Sequence, residues 1–181
     1  GKMKLVIIDR DGVINEDRPD FVKSVEEWIP LPGSLEAIAR LYRAGWKVVI
    51  ASNQSGIGRG LFSINDLNAM HTKMHQELTL LGGQVDAIFI CPHTPDEGCS
   101  CRKPLPGMFH DIIRRYEIDP AQVPAIGDSL RDLQAAHAAG MKPWLVETGN
   151  GLKTKNDPNL PPDTQIRASL ADIVNEWLRE N

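Results

Sequence analysis

The sequence predicts an α/β fold, a Rossmann-like, mostly parallel sheet with helices on both faces. Three observations carry this. Lys4-Leu5-Val6-Ile7-Ile8 and Lys47-Val48-Val49-Ile50-Ala51 are unbroken apolar runs of β-prone residues. They lack the in/out alternation of a half-exposed strand, so both faces of the sheet must be covered. The segments between such runs carry helix start and stop signals, so strands and helices alternate. Finally, clusters of polar residues stand directly after the strands, where ligands sit in open α/β sheets.

Taken in order, the first run ends abruptly at charged residues and reads as a central strand. Ser34 and Gly45 bracket a helix that leads into the second run. Ser63 with Asp66 three residues on has the form of a capping box, opening a long helix toward Leu81 that Gly82-Gly83 stops. Asp86-Ala87-Ile88-Phe89-Ile90 is then a strand, and a helix runs from about Pro106 to Tyr116. Asp119-Pro120 caps a short turn. Pro124-Ala125-Ile126 and Pro143-Trp144-Leu145-Val146 are short strands on either side of a helix from Leu130 to Ala139. Residues 147–166, polar and rich in Gly, Pro and Asn, predict a surface loop before an amphipathic helix from Ser169 to Leu178.

Composition narrows the function classes. A chain of 181 residues with 41% hydrophobic and 24% charged residues has the balance of one globular domain, here 1–181. Lys and Arg number 20 against 24 Asp and Glu, a net charge of -4, so nothing recommends nucleic acid or an anionic membrane as a partner. A small molecule is the expected partner and a monomer the expected state. The apolar runs fall far short of the ~20 residues of a membrane helix. No basic stretch precedes an apolar signal core, and Gly1-Lys2 read as an addition ahead of Met3, so a cytoplasmic protein is expected.

The chemistry begins at Asp9-Arg10-Asp11-Gly12, where two carboxylates one residue apart call for a cation. A hard divalent ion such as Mg²⁺ takes carboxylate and carbonyl oxygens and bridges to phosphate. Taken alone, the pair reads equally well as a strand-ending turn with solvated aspartates. After the second strand, Ser52-Asn53-Gln54-Ser55-Gly56-Ile57-Gly58-Arg59-Gly60 offers hydroxyls, amides, a guanidinium and backbone N–H groups for phosphate oxygens. It fits neither the Walker A nor the GxGxxG spacing. Arg102-Lys103 places two cations where charge on a transferred phosphoryl group would need them, a surface basic pair being the plain alternative. Gly127-Asp128-Ser129-Leu130-Arg131-Asp132 puts another acid at a strand end. Asp128 reads there as a ligand or simply as an N-cap.

All three cysteines fall within eleven positions, and with His93 they form the set Cys91, His93, Cys99 and Cys101. Four soft or borderline donors suit a closed, structural tetrahedral zinc site. Reduced, buried cysteines are the alternative. The metal would set the loop, about residues 91–103, that presents Arg102 and Lys103.

Together, Asp9-Arg10-Asp11-Gly12, Ser52, Lys103 and Gly127-Asp128-Ser129-Leu130-Arg131-Asp132 occur in the order of the four motifs of the haloacid dehalogenase (HAD) superfamily, which residues 3–150 resemble. The resemblance implies a HAD-like fold and a phosphatase. Asp9 would be the nucleophile and Asp11 the acid and base. Asp9, the Asp11 carbonyl and Asp128 would hold Mg²⁺, with Asp132 supporting from behind. Ser52, the Asn53 N–H and Lys103 would bind the equatorial oxygens. With the zinc loop, the Asn53-Gln54-Ser55-Gly56-Ile57-Gly58-Arg59-Gly60 segment is similar to the heptose 1,7-bisphosphate phosphatases of that superfamily. It differs at Ser55 and Arg59 from the close relatives that act on histidinol phosphate. The implied substrate is a sugar bisphosphate contacted by Asn53, Gln54, Ser55, Arg59 and Arg102. A histidinol-phosphate phosphatase and a catalytically silent zinc-stabilised binding module are the competing readings. Residues 17–20 form at most a small lid, so the cap is minimal. His71 and His75, four apart, read as a solvated helix face, and the scattered tryptophans read as packing. Residues 147–181 complete the chain as loop and helix.

Overall fold

The computed structural model describes residues 3–179; Gly1 and Lys2, read above as an addition ahead of Met3, lie outside the described residues. Six strands form one sheet: β1 (Leu5–Ile8), β2 (Lys47–Asn53), β3 (Ala87–Cys91), β4 (Pro124–Gly127), β5 (Lys142–Val146) and β6 (Gln165–Arg167). Their spatial order is β3-β2-β1-β4-β5-β6, and every pairing is parallel. The chain moves outward from β1 through β2 to β3 and then returns to the other side of β1 as β4. That reversal opens a crevice beyond the carboxyl ends of β1 and β4. Ile8 is paired with both Ile50 and Ile126, so Asp9 stands at the reversal itself, its N–H bonded to the Ile126 carbonyl at 2.9 Å.

The period-2 alternation of β1 divides the core. Val6 and Ile8 face helices α1 (Ser34–Arg43), α3 (Ile64–Leu80) and α7 (Leu170–Arg179), packing with Ile38, Leu41, Met70, Met74 and Ile173. Leu5 and Ile7 face α4 (Gly107–Tyr116) and α5 (Leu130–Ala138), packing with Met108, Phe109, Ile112 and Ala135. Each large side chain so buried contributes roughly 1.5–3 kcal/mol. Covered on both faces, the strands have no use for polar alternation. The expected α/β architecture is therefore the observed one.

Ser34 opens α1 without capping it, since Gly33 holds the N-cap position and Ser34 Oγ donates to the Val13 carbonyl, but two other start signals act as expected. Ser63 Oγ accepts from the Asp66 N–H at 3.1 Å while Asp66 Oδ2 accepts from the Ser63 N–H at 2.8 Å, completing the capping box of α3. Asp119 Oδ1 accepts from the Ala121 N–H, capping the 3-10 turn Pro120–Gln122. Trp28 is fully buried, and Trp46 stacks on Trp177 with Trp144 edge-on.

Two expectations need correction. Residues 147–166 are not one loop: they contain the single turn α6 (Gly151–Thr154) and the first two residues of β6. β6 is three residues long and pairs only with β5, so its pattern is too short to separate from turn sequence. What holds it is tertiary, the paired contact of Arg167 with Glu176 on α7. The glycine-containing segment after β2 is likewise not an open loop, since Ser55–Gly58 forms α2. Its glycines are there for close packing: a Cβ on Gly56 would lie 2.2 Å from the Phe62 ring, and one on Gly58 2.6 Å from the Pro92 carbonyl.

Candidate active site

A cleft of about 360 Å³ opens at the reversal of the sheet, lined from β1 by Asp9 and Asp11, from β2 by Ser52 and Asn53, and from beyond them by Ser55, Arg59 and Arg102. Asp9, Asp128 and Asp132 converge behind it, with one carboxylate oxygen of each within 4.8 Å of the others. The chain around them is shaped to allow this. Gly12 has φ +87, and a Cβ there would lie 2.0 Å from Asp128 Oδ2. Asp128 is not the N-cap of α5. Ser129 takes that position, closing a capping box with Asp132, and the buried Asp128 is left to join Asp9 and Asp132.

Each carboxylate has a distinct environment. Asp132 Oδ2 accepts from the N–H groups of Asp128 and Ser129, and its Oδ1 accepts from Lys103 Nζ at 3.0 Å. Burial alone would raise its pKa, but Lys103 and Arg131 outweigh burial and hold it low. Asp128 Oδ2 accepts from the Asn150 N–H, and Asp128 Oδ1 accepts from Ser129 Oγ. Burial and then the Asp132 charge push Asp128 up to about 7. Asp9 is likewise raised well above the usual carboxylate range by burial and then the Asp132 charge, against the pull of Lys103, 3.3 Å from its Oδ1. Two carboxyls driven toward protonation beside a third that stays ionised make a hard-oxygen site that a divalent cation satisfies. The donor set fits Mg²⁺.

Lys103 is buried, and its charge is retained because Asp132 and Asp9 outweigh the cost of burial. Its backbone is clamped by Asn53, whose Oδ1 accepts from the Lys103 N–H and whose Nδ2 donates to the Lys103 carbonyl. The Asn53 side chain thus positions the lysine, which its reading as a substrate contact does not anticipate. Gln54 lies outside the cleft lining: it is buried, donating to Asp11 Oδ2 at 3.2 Å and to Ser52 Oγ at 2.9 Å. Arg59 lies over the Phe21 ring and bonds Ser55 Oγ, and Arg102 Nη1 reaches the His93 carbonyl. Both keep donors for the cleft.

Cys91, Cys99 and Cys101 bring their sulfurs within 4.8 Å of one another, as a thiolate metal site requires. The His93 ring stands outside that group, with Nδ1 2.7 Å from Glu97 Oε2. Hydrogen bonds, led by that from the Arg102 N–H, outweigh burial and lower Cys99 to about 7, whereas burial raises Cys101 to about 12. The cysteine loop and the α2 turn are tied together by the Gln54 N–H bonded to the Cys91 carbonyl and the Gly58 N–H bonded to the Pro92 carbonyl.

Several cleft residues escape the sequence reading. Arg131 stands inside a quoted motif but looks like an ordinary helix-surface cation, and Asn150 lies in a segment read as loop. Asp17 and Arg18, within the segment expected as a small lid, do line the cleft together with Phe21, and Asn150 Nδ2 is bonded to Asp17 Oδ2. Arg10 is fully buried and His71 nearly so; His71 is not on a solvated face as its spacing with His75 suggests.

Comparison with known proteins follows the same lines. A family model described as HAD-hydrolase-like matches residues 100–173. The D-glycero-beta-D-manno-heptose-1,7-bisphosphate 7-phosphatase of Bordetella bronchiseptica is 62% identical over 178 residues, 98% of this chain and 99% of the relative. The same-named protein of Neisseria meningitidis serogroup A is 51% identical over 99% of this chain and 97% of its own length. The crystal structure of the D,D-heptose 1,7-bisphosphate phosphatase of B. bronchiseptica complexed with magnesium and phosphate superposes with a TM-score of 0.97 at 61% identity, covering 99% of this chain and 100% of that one.

Proposed function

This chain belongs to the D-glycero-beta-D-manno-heptose-1,7-bisphosphate 7-phosphatases, HAD-like hydrolases, and on that footing we propose how its residues release the 7-phosphate of a heptose 1,7-bisphosphate. The observation that carries the reading is the convergence of Asp9, Asp128 and Asp132 beside buried Lys103, at the end of a cleft rimmed by arginines.

Asp9 is the nucleophile. Its carboxylate attacks phosphorus, the bond to the sugar oxygen breaks, and an aspartyl-phosphate forms. Asp11 protonates the departing alkoxide, then takes a proton from the water that hydrolyses the intermediate and restores Asp9. Lys103 and Ser52, with the Asn53 N–H, bind the equatorial oxygens over which the transferred group spreads its charge. Asp9, the Asp11 carbonyl and Asp128 would hold Mg²⁺, with Asp132 behind them. The ion screens the repulsion between the carboxylate and the phosphate dianion.

Ser55, Arg59 and Arg102 receive the rest of the substrate. Mg²⁺, Lys103 and Ser52 already serve the reacting phosphate, so the guanidiniums serve the second phosphate or the sugar hydroxyls, binding two oxygens at once. Gln54 acts on Asp11 rather than on substrate, as its hydrogen bond to Asp11 Oδ2 supports. Zinc is the second metal of this reading. Cys91, Cys99 and Cys101 supply thiolates and His93 the fourth donor, its contact with Glu97 being the kind of bond that orients a ligating imidazole. The remaining elements are a small-molecule substrate, a monomer and a cytoplasmic site of action. No helix among the described residues is long and apolar enough to cross a membrane.

The test follows phosphorus NMR of the purified protein with Mg²⁺ and, in turn, both anomers of heptose 1,7-bisphosphate, fructose 1,6-bisphosphate and histidinol phosphate. Fastest loss of the 7-phosphate from the β anomer is expected. A preference for histidinol phosphate would overturn the substrate and leave the phosphatase chemistry standing.

A further inference from the structure

The alternation that sends Val6 and Ile8 toward α3 continues one step further, to Arg10. A cation here enters the apolar side of the sheet, and its side chain is 0% exposed. Such burial is costly unless every donor finds a partner. Nε donates to Asp11 Oδ1 at 2.8 Å; Nη2 lies 2.7 Å from the same oxygen, an ion-pair contact in which it makes no hydrogen bond. Nη1 lies 3.2 Å from His71 Nε2, on the third turn of α3. Burial, and then the Arg10 and His75 charges, lower His71 to about 4, so near neutral pH the ring is uncharged and Nε2 accepts.

We propose that His71 is a positioning residue for the Asp11 acid and base: it holds the buried Arg10 guanidinium in the orientation from which Nε donates to Asp11 Oδ1. The inference rests on the assignment of Asp11 above. Asn15 Nδ2 and Gln54 Nε2 also bond Asp11, at 2.9 and 3.2 Å, but neither is charged, and Arg10 supplies the short contacts. Removing the acceptor leaves Nη1 without that partner in a fully buried position and lets the guanidinium turn. Asp11 turns with it. A misplacement on the order of 1 Å costs a catalytic group about 10²-fold.

The experiment compares His71→Leu, which keeps bulk and loses the acceptor, with His71→Gln, which offers an amide oxygen to Nη1. The substrates are heptose 1,7-bisphosphate, whose alkoxide needs the proton from Asp11, and 2,4-dinitrophenyl phosphate, whose leaving group does not. Because kcat/KM reports steps only through the first irreversible one, later hydrolysis of the aspartyl-phosphate does not enter it. His71→Leu is expected to lower kcat/KM for the sugar phosphate by about 10-fold or more beyond any fall on the activated ester. His71→Gln is expected to recover most of that selective loss. Equal losses on both substrates, no loss on either, or a selective loss that His71→Gln does not relieve would overturn the proposal. Should His71→Leu not fold, the His71→Gln ratio alone decides: a ratio of the two substrates matching wild type is expected, and a ratio shifted like that of Asp11→Asn would overturn it. Wild-type protein inactive on the heptose but active on the aryl ester would instead count against the substrate reading.

Discussion

At the scale of single residues, charge and burial set what each side chain does. Asp9→Asn removes the proposed nucleophile and no core volume, and it relieves a buried carboxyl already pushed toward protonation. It should abolish turnover while the thermal midpoint holds or rises; substantial residual phosphate release would discard the covalent route. Arg59→Ala should lower kcat/KM for the bisphosphate by roughly 10-fold or more, assuming loss of about 1.5–3 kcal/mol from a charge-assisted contact. A small aryl phosphate should barely register the change, and equal loss on both would place Arg59 in the reacting shell or the fold. His71 makes a pH prediction of definite sign. Its folded pKa of about 4 lies below the ~6.5 of the unfolded chain, so the unfolded state binds the proton first. The associated stability is therefore full above about pH 6.5 and is lost as pH falls toward 4, about 2 kcal/mol of it by pH 5. Urea unfolding at pH 7.5 and 5.0 should show a shallower decline for His71→Gln than for wild type; parallel declines would mean the ring protonates freely in the folded state.

At the scale of elements, the decisive feature is the contact between the α2 turn and the cysteine loop. Gly58 lies against the Pro92 carbonyl, so a methyl group there must push the turn that carries Arg59 away from the loop that carries Arg102 and Lys103. Gly58→Ala should cost roughly 1–3 kcal/mol, the range for overpacking, and weaken bisphosphate turnover together with stability. Calorimetry and kcat/KM would check both. The cysteine loop has its own dependence. Structural zinc is worth on the order of 10 kcal/mol in small peptides and should copurify, whereas Mg²⁺, a hard ion that keeps several waters and few protein ligands, should wash out and be restored by addition. Elemental analysis without zinc in gently purified protein would count against the Cys91, His93, Cys99 and Cys101 set. Cys99→Ser should lose zinc, stability and activity together.

At the scale of the whole molecule, the sheet and its cleft were largely legible because local and global signals agree. Apolar runs with no alternation require cover on both faces, helix start and stop signals supply the covering elements, and the polar residues left over fall at strand ends. The central strands, the five longer helices and the acids Asp9, Asp11 and Asp128 follow from that reasoning, together with the motif resemblance. What stayed hidden depends on contacts between distant segments. β6 has three residues and no period to read, α2 looks like a glycine loop because its glycines serve packing, and Arg131 and Asn150 enter the cleft only once β4 lies beside β1. The division of labour among the carboxylates belongs here too, since Ser129 and Asp132 are compatible in sequence with several caps. Gln54, Asn53 and His71 show the same limit. Their residue types announce hydrogen bonding, but only the folded chain decides that the partners are Asp11, the Lys103 backbone and Arg10. Residue order sets the elements and gathers the polar groups at the strand ends, because periodicity, capping and residue type act over a few neighbouring positions. Which polar groups meet, which of them are buried and how their charges are tuned follow instead from the packing of residues far apart in the chain.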